Sequence, residues 1–120
     1  MKAETGKWGE REAERYLVSR QRFSIVEKNW RCPLGEIDIV ARQKDVLVFV
    51  EVKTRSPEPY LSPKFTLTLN KRRRLGRLAK LYLKQNHITG QRCRFDVVAL
   101  IRGSDGKVEN LEYIRSAFSI

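Results

Sequence analysis

The spacing of apolar and polar residues predicts two helices in this chain. The longer one follows from a stripe of apolar side chains at the i, i+3, i+4, i+7, i+8 spacing of a helix that packs by one face. The members of the stripe are Leu75, Leu78, Ala79, Tyr82 and Leu83. The stripe predicts a helix over residues 68–86, with Thr68 as its N-cap. Ala13, Tyr16 and Leu17 recur at similar spacing and predict an earlier helix from residue 4 to about residue 20.

Five strands are predicted where β-branched and aromatic residues cluster between turn-forming residues. Their predicted ranges are 23–30, 36–42, 45–54, 93–101 and 108–114. The resulting order, α-β-β-β-α-β-β, is typical of an α/β fold in which helices flank a mixed sheet. The Pro-rich stretch at 56–63 reads as a loop too short to separate domains. We therefore expect a single domain over residues 1–120.

The second and third strands alternate strictly, and their faces predict how they pair, because successive strand residues point to opposite faces. In the third strand one face carries Val46, Val48, Val50 and Val52, and the other carries Leu47, Phe49, Glu51 and Lys53. In the second strand one face carries Ile37, Ile39 and Ala41, and the other carries Glu36, Asp38 and Val40. A register that joins the two aliphatic faces keeps the charges together, whereas a slip of one residue would mix charges into the core.

An antiparallel hairpin with an even-numbered loop satisfies this pattern. With Gln43-Lys44 as the loop, Asp38 faces Phe49 and lies diagonal to Glu51, within side-chain reach. We therefore predict that Asp38, Glu51 and Lys53 converge on one side of the hairpin.

Two carboxylates held this close repel each other, and a divalent cation would relieve the repulsion. Carboxylate oxygens suit Mg²⁺ or Mn²⁺, which keep several waters and also bind phosphate oxygens. Lys53, one pleat away, would orient or deprotonate an attacking water or stabilise charge on a phosphate. The alternative is a structural salt bridge between Glu51 and Lys53 at the strand end, with Asp38 solvated.

Glu10 supplies a third carboxylate. It lies three residues before Ala13 and seven before Leu17, on the buried side of the first helix, from which it could approach the same face of the sheet. The alternative is a first-turn glutamate that is favoured by the helix dipole. Glu14 lies on the same side of the helix and is also a candidate.

The charge of the chain favours a polyanionic partner. Lys and Arg total 25 against 14 Asp and Glu, a net charge of +11. Nucleic acid or an anionic membrane would attract such a protein, and a basic protein that is merely soluble is the alternative. The second helix concentrates basic residues without an interleaved acid, at Lys71, Arg72, Arg73, Arg74, Arg77, Lys80 and Lys84. We predict that these side chains contact phosphates, which positions a nucleic acid without reading its sequence.

Other features narrow the classes of protein. No segment reaches the roughly 20 apolar residues of a membrane span, and the N-terminus lacks the apolar stretch of a signal peptide. Cys32 and Cys93 form no disulfide framework, and together with His87 they lack paired metal-ligand spacing. We therefore expect a cytoplasmic protein with no membrane partner, two ordinary thiols and a surface histidine.

Four segments carry a resemblance to a known family: "GEREAERYL", "NWRCPLGEIDIVAR", "LVFVEVKTR" and "CRFDVVA". In this order and spacing they resemble the YraN-like family of bacterial proteins over nearly the whole chain. That family is similar to a branch of the PD-(D/E)xK nuclease superfamily, close to archaeal Holliday junction resolvases. The resemblance implies a restriction-endonuclease-like three-layer core and metal-dependent hydrolysis of phosphodiester bonds.

The resemblance also assigns roles to single residues. Asp38 matches the motif aspartate, and Glu51 and Lys53 match the E-x-K pair. Glu10 matches the glutamate of the N-terminal helix, and the backbone carbonyl of Val52 is implied as a further metal ligand.

Two positions depart from the family pattern. Leu61-Ser62 replaces a common Gly-Gly, and Arg72 replaces a common Gln. Both departures concern the substrate-facing region rather than the acidic residues.

The sequence therefore predicts a Mg²⁺- or Mn²⁺-dependent endonuclease that acts on DNA, with branched DNA as a candidate substrate. Asp38 and Glu51 would hold the metal, Lys53 would assist the attacking water, and Glu10 would complete the metal shell or orient a water. Cutting a junction requires two active sites, so a homodimer would suit that substrate. The alternatives are a non-catalytic nucleic-acid-binding module with the same fold, and a basic protein-interaction subunit.

Overall fold

The computed structural model describes residues 4–57 and 67–119, and within them the predicted order of elements is confirmed. The elements are α1 (Glu4–Gln21), β1 (Ser24–Cys32), β2 (Gly35–Gln43), β3 (Val46–Arg55), α2 (Leu69–Gln85), β4 (Cys93–Arg102) and β5 (Val108–Phe118). β5 is longer than predicted: it continues to Phe118, and its pairing with β4 contains irregularities. Thr68 caps α2 as predicted, since its side-chain oxygen accepts a hydrogen bond from Lys71 N–H at 3.2 Å.

The five strands form one mixed sheet in the order β1-β2-β3-β4-β5. β3 and β4 are parallel, as expected for two strands joined through a helix, and the other neighbouring pairs are antiparallel. β1 and β3 therefore end, and β2 begins, at the same end of the sheet, which we call the acidic end. We call the opposite end, where β2 turns into β3, the turn end.

α1 and α2 cover opposite faces of the sheet. One cluster of buried residues joins α1 to Ile39, Val48 and Val50, and the other joins α2 to Val40 and Phe49. Since neighbouring residues of β3 enter different clusters, the predicted alternation is present in this strand, and the three-layer arrangement is confirmed. Neither of these two described helices is long and apolar enough to cross a membrane.

β2 and β3 form the predicted antiparallel hairpin with a two-residue loop, but the loop is residues 44–45 rather than 43–44. Val40 pairs with Phe49, so the predicted pairing of Asp38 with Phe49 is wrong. The hydrophobic pattern permits this error, because moving the pairing by two residues leaves every side chain on its predicted face. Continuing the observed register places Asp38 opposite Glu51.

The predicted face of Ile37 is also wrong. Ile37 belongs to the cluster beneath α2, whereas Ile39 belongs to the cluster beneath α1. Backbone pairing between β2 and β3 ends at Ile39 and Val50, so the preceding residues of β2 are not held in the plane of β3. Regular alternation is therefore interrupted at Asp38, where the two strands part.

Candidate functional site

Three carboxylates meet at the acidic end of the sheet. Glu10 belongs to α1, Glu36 and Asp38 belong to β2, and one oxygen of each lies within 4.8 Å of the others. Glu10 is 5% exposed and Asp38 is 6% exposed, while Glu36 is partly exposed. Within residues 4–57 and 67–119, this is the one group of three or more Asp, Glu, His or Cys side chains close enough to share a metal ion. We call it the carboxylate cluster.

The donor set of the carboxylate cluster fits a divalent cation. Oxygen ligands without nitrogen or sulfur suit hard ions such as Mg²⁺ and Mn²⁺. Carboxylates this close repel one another, and a cation among them would offset the repulsion. Arg31 Nε lies 3.7 Å from Glu36 Oε1, but the Arg31 side chain is 54% exposed, so this ion pair contributes little.

Close packing of α1 on β3 positions Glu10. Gly9 is buried, and a Cβ atom at that position would overlap with Thr54 Oγ1. A side chain there would therefore push the start of α1 away from the sheet. Next to it, buried Trp8 packs against the guanidinium of Arg102, which lies 4.8 Å from the ring centroid. The glycine thus allows the helix to approach, and the approach brings Glu10 to β2.

Asp38 joins the carboxylate cluster to Glu51 on β3. Asp38 Oδ2 accepts a hydrogen bond from Val52 N–H at 2.8 Å, at the point where backbone pairing between β2 and β3 has ended. The Asp38 and Glu51 carboxyl groups are close neighbours, and the Glu51 side chain is buried. Asp38 and Glu51 are therefore close neighbours on adjacent strands, opposite each other rather than diagonal as predicted.

Glu51 has a perturbed pKa. Burial, together with the neighbouring Asp38 carboxyl, raises the pKa of Glu51 from its ordinary 4.5 to about 8. Lys71 Nζ lies 3.0 Å from Glu51 Oε2 and opposes this shift in pKa without cancelling it. When no metal is bound, the raised pKa favours the protonated form of Glu51 at neutral pH. A cation that enters the site would compete with this proton.

The remaining predicted residues differ in how they relate to the site. Lys53 stands two residues beyond Glu51, is partly exposed, and shares the Glu51 side of β3 by alternation. Glu14 is not part of the carboxylate cluster, since its carboxylate pairs with Lys28 Nζ at 2.9 Å. The role of the Val52 carbonyl as a ligand stays a prediction.

The seven basic residues predicted on α2 divide into two groups. Lys71 and Arg72 are partly buried: Lys71 contacts Glu51, and Arg72 Nε donates to Leu67 O at 3.1 Å. The exposed ones are Arg73, Arg74, Arg77, Lys80 and Lys84. These five are available to an outside partner, and contact of the helix with nucleic acid stays a prediction. Leu61-Ser62, with most of the predicted loop at 56–63, lies outside the described residues.

Sequence reasoning missed three contributors to this site. The pattern places Glu36 on the face of Asp38 but gives it no role, although the i, i+2 spacing puts two acids on one strand face. The pattern groups Lys71 with the phosphate contacts, yet a lysine in the first turn of a helix opposes the helix dipole and signals another partner. The role of Gly9 depends on the distance between α1 and β3, which no local pattern records.

Comparison with known proteins identifies the family of this chain. A UPF0102 protein of Desulfosudis oleivorans is 47% identical over 113 residues, which cover 94% of this chain and 88% of that protein. UPF0102 proteins of Moorella thermoacetica and Pelotomaculum thermopropionicum are 45% and 43% identical. Their alignments cover 85% and 94% of this chain, and 85% and 93% of the two proteins.

The family match spans the whole site. The sequence profile of Uncharacterised protein family UPF0102 matches residues 9–100, a range that includes the carboxylate cluster, Glu51, Lys53 and Lys71. The predicted resemblance to the YraN-like family is thereby confirmed. The chain belongs to Uncharacterised protein family UPF0102, the YraN family.

Proposed function

We propose that this protein is a divalent-metal-dependent endonuclease that hydrolyses phosphodiester bonds of DNA. The observation that carries the proposal is the meeting of Glu10, Glu36 and Asp38, whose oxygens lie within 4.8 Å of one another. The chain around them has a net charge of +11. A metal ion that joins buried carboxylates to a bound phosphate would explain the acids and the surrounding excess of bases together.

The carboxylates would hold the metal and set its position. Glu10, Glu36 and Asp38 would provide the first ligands, and Glu51 would join them once its proton has left. The bound cation would supply Lewis-acid polarisation of the phosphate and a more acidic water. The hydrogen bond from Val52 N–H to Asp38 Oδ2 would hold that carboxylate in a fixed orientation within the carboxylate cluster.

The two lysines would act on the water and on the charge of the site. Lys53, on the same side of β3 as Glu51, would orient the attacking water or neutralise charge that develops on the phosphate. Lys71 offsets the charge of Glu51 from α2, at 3.0 Å. Both residues therefore oppose the accumulation of negative charge where an anionic substrate must enter.

The resemblance to PD-(D/E)xK nucleases supports the same proposal. Glu51 and Lys53 supply the E-x-K pair, Asp38 the motif aspartate, and Glu10 the helix glutamate. The likeness to junction resolvases makes branched DNA the first substrate to test. Symmetrical cutting of a junction would need a second copy of this chain.

Cleavage of a panel of DNA structures tests the proposal. Duplex, single-stranded, flapped and four-way DNA would be incubated with the protein and Mg²⁺ or Mn²⁺. Asp38→Asn and Glu36→Gln remove one negative charge each from the carboxylate cluster. Asp45→Asn is the matched control, because Asp45 is exposed at the turn end of the sheet.

The expected result is metal-dependent cleavage by the wild type and by Asp45→Asn, with activity abolished in the two cluster variants. Cleavage that persists in Asp38→Asn at the wild-type rate would refute the proposed site. Metal-independent DNA binding without any cleavage would instead favour a non-catalytic nucleic-acid-binding module.

A further inference from the structure

A second group of basic residues surrounds the α1 side of the carboxylate cluster. A cleft of about 190 Å³ lies between α1 and β1, lined by Lys7, Glu10, Arg11, Lys28 and Asn29. Glu10, at 5% exposure, is the buried member of this lining, while the three basic side chains and Asn29 are exposed. The cleft therefore opens from a cationic rim onto a carboxylate of the candidate metal site. We call it the α1 cleft.

The stability of α1 does not explain this arrangement of charges. Lys7 and Arg11 are four residues apart, so they lie on the same side of the helix, where like charges destabilise it by a few tenths of a kcal/mol. Lys7 lies at the end of the first turn of α1 (Glu4–Gln21), where the helix dipole disfavours positive charge. An anion bound in the α1 cleft would reverse both effects.

Lys28 is held at the rim by a neighbour from α1. Lys28 Nζ lies 2.9 Å from Glu14 Oε1, and both side chains are partly exposed, at 43% and 31%. This pair orients a residue of the edge strand β1 towards the helix. Lys28 thus joins Lys7 and Arg11 from a separate element of the fold, which makes the cationic rim a property of the tertiary structure.

We propose that the α1 cleft binds a phosphate group of the nucleic acid strand, next to the phosphate that is hydrolysed. The inference rests on the proposed function for the identity of the polyanion. Lys7, Arg11 and Lys28 would contact the phosphate oxygens, and Asn29 would donate a hydrogen bond from its side chain. The three cations of the cleft outnumber the one carboxylate of Glu10, and a metal held by Glu10 would strengthen the contact further.

The α1 cleft lies on the opposite side of the sheet from α2. Because α1 and α2 cover opposite faces, phosphate contacts in the cleft and on α2 would place the strand across the acidic end of the sheet. The strand would then pass over the carboxylate cluster between its two anchoring points. Contacts on α2 alone would not require that path.

The test compares two triple variants with equal charge. Lys7→Gln, Arg11→Gln and Lys28→Gln together remove three positive charges from the cleft. The control combines Arg20→Gln, Lys44→Gln and Arg92→Gln, which alter exposed residues at the turn end of the sheet. Each variant lowers the net charge from +11 by three, to +8, so a difference between them reports position rather than total charge.

Binding of a fluorescent duplex oligonucleotide would be measured at several salt concentrations with a chelator present, so that neither metal binding nor cleavage affects the result. Removing one phosphate contact lowers the slope of log K against log salt by roughly 0.9. We expect the slope to fall by the amount for about two phosphate contacts in the cleft variant, and by less than the amount for one contact in the control. Equal decreases in the two variants, or a wild type that does not bind DNA, would overturn the inference.

Three additional measurements sharpen the test. Arg11→Lys keeps the positive charge, so it is expected to retain most of the salt dependence of DNA binding. Thermal melts of all variants identify any that fail to fold. If the triple cleft variant does not fold, the single variants Arg11→Gln and Lys28→Gln replace it. Competition by inorganic phosphate at the same ionic strength as a chloride control tests for a site that prefers the free ion. Displacement of DNA from the wild type and the cleft variant alike would count against the cleft.

The outcomes also separate this inference from the proposed activity. Cleavage by the wild type, combined with equal salt slopes for the two triple variants, would support the proposed nuclease activity and refute the phosphate site in the α1 cleft. A larger decrease of the salt slope in the cleft variant, without cleavage under any metal, would support the phosphate site and refute the nuclease activity.

Discussion

Two buried aspartates of the sheet, Asp96 on β4 and Asp38 on β2, have different surroundings. Asp96 accepts hydrogen bonds from Arg94 Nε at 2.9 Å and Arg94 Nη2 at 3.1 Å. It also accepts from Tyr113 O–H at 2.6 Å and from Ser116 N–H at 2.9 Å. Burial and the hydrogen bond to Asp96 raise the pKa of Tyr113 above its ordinary value, so the tyrosine remains a donor. Both oxygens of Asp96 are thus bound within the protein.

Asp38 accepts a hydrogen bond from Val52 N–H, and its carboxylate lies among other acids. The neighbouring Glu51 carboxyl group has a pKa raised to about 8, and Glu10 and Glu36 have oxygens within 4.8 Å of an Asp38 oxygen. Asp96 has its donors within the fold, whereas the carboxylates around Asp38 repel one another, and a cation would offset that repulsion. The contrast gives Asp96 a structural role and supports the proposal that the Asp38 region binds a cation.

The largest expected difference concerns stability. Asp96→Asn should lower the free energy of unfolding by about 3–5 kcal/mol, because it leaves the Arg94 guanidinium without its ionised partner. Asp38→Asn should change it little or raise it when no metal is present, since one of several close carboxylates becomes neutral. Urea denaturation with a chelator measures both, with Asp45→Asn as the exposed control. Equal destabilisation of the two variants would contradict the comparison.

The next effect concerns catalysis. Lys53→Ala should lower the rate of metal-dependent cleavage by about 10²-fold or more, the scale for removing one catalytic group. It should leave metal binding intact, because Lys53 provides no ligand. Single-turnover cleavage and calorimetric titration with Mn²⁺ separate the two effects. If Lys53→Ala abolished metal binding as well, Lys53 would be part of the metal site rather than of the chemistry.

A separate effect is expected from pH. The pKa of Glu51 is raised in the folded protein from 4.5 to about 8, so folding favours its protonated form. This contribution to stability is complete below about pH 4.5 and is lost as the pH rises through 8. Glu51→Gln cannot ionise, so between these pH values it should gain stability relative to the wild type. Each unit by which folding raises the pKa of Glu51 changes the free energy of unfolding by about 1.4 kcal/mol across this pH range.

Unfolding of both proteins in denaturant from pH 5 to pH 9, without metal, measures this pH dependence. Parallel stability curves for wild type and Glu51→Gln would show that Glu51 has an ordinary pKa. The contrast between the Asp38 region and Asp96 would then lose its electrostatic basis.

The smallest effect concerns the exposed face of α2. Replacing Arg73, Arg77 and Lys80 with Gln should weaken DNA binding similarly for all sequences, because phosphate contacts carry no base information. The log–log salt slope should fall by roughly 0.9 for each contact that is removed. Fluorescence anisotropy over a range of salt concentrations provides the measurement. An unchanged slope would move the nucleic-acid surface away from this helix.

The sequence predicts most of the fold because its patterns are local. The apolar stripe of the second helix, the cap at Thr68 and the alternation in residues 45–54 each follow from nearby residues. The predicted register of the hairpin is wrong by two residues, because faces repeat every two positions and the choice between loops depends on turn conformation. Lys44 adopts a left-handed φ of 54°, a turn conformation that a lysine in the sequence does not predict.

The candidate site is predicted in part for the same physical reason. Alternation on adjacent strands brings Asp38 and Glu51 together, and helical spacing places Glu10 on the buried side of α1. Glu36 and Lys71 belong to the site because of tertiary contacts. Glu36 lies where the pairing of β2 with β3 has ended, and Lys71 reaches Glu51 because α2 packs over it. Such contacts join elements that are distant in sequence, so no spacing rule reports them.

Thermal unfolding tests directly whether the Asp38 region binds a divalent cation. Melting temperatures would be compared between samples with Mn²⁺ or Mg²⁺ and samples with a chelator. A ligand that binds the folded state alone raises the melting temperature with its concentration. We expect such a rise for the wild type and Asp45→Asn, and no rise for Asp38→Asn. A wild-type melting temperature that ignores both metals up to millimolar concentrations would contradict it.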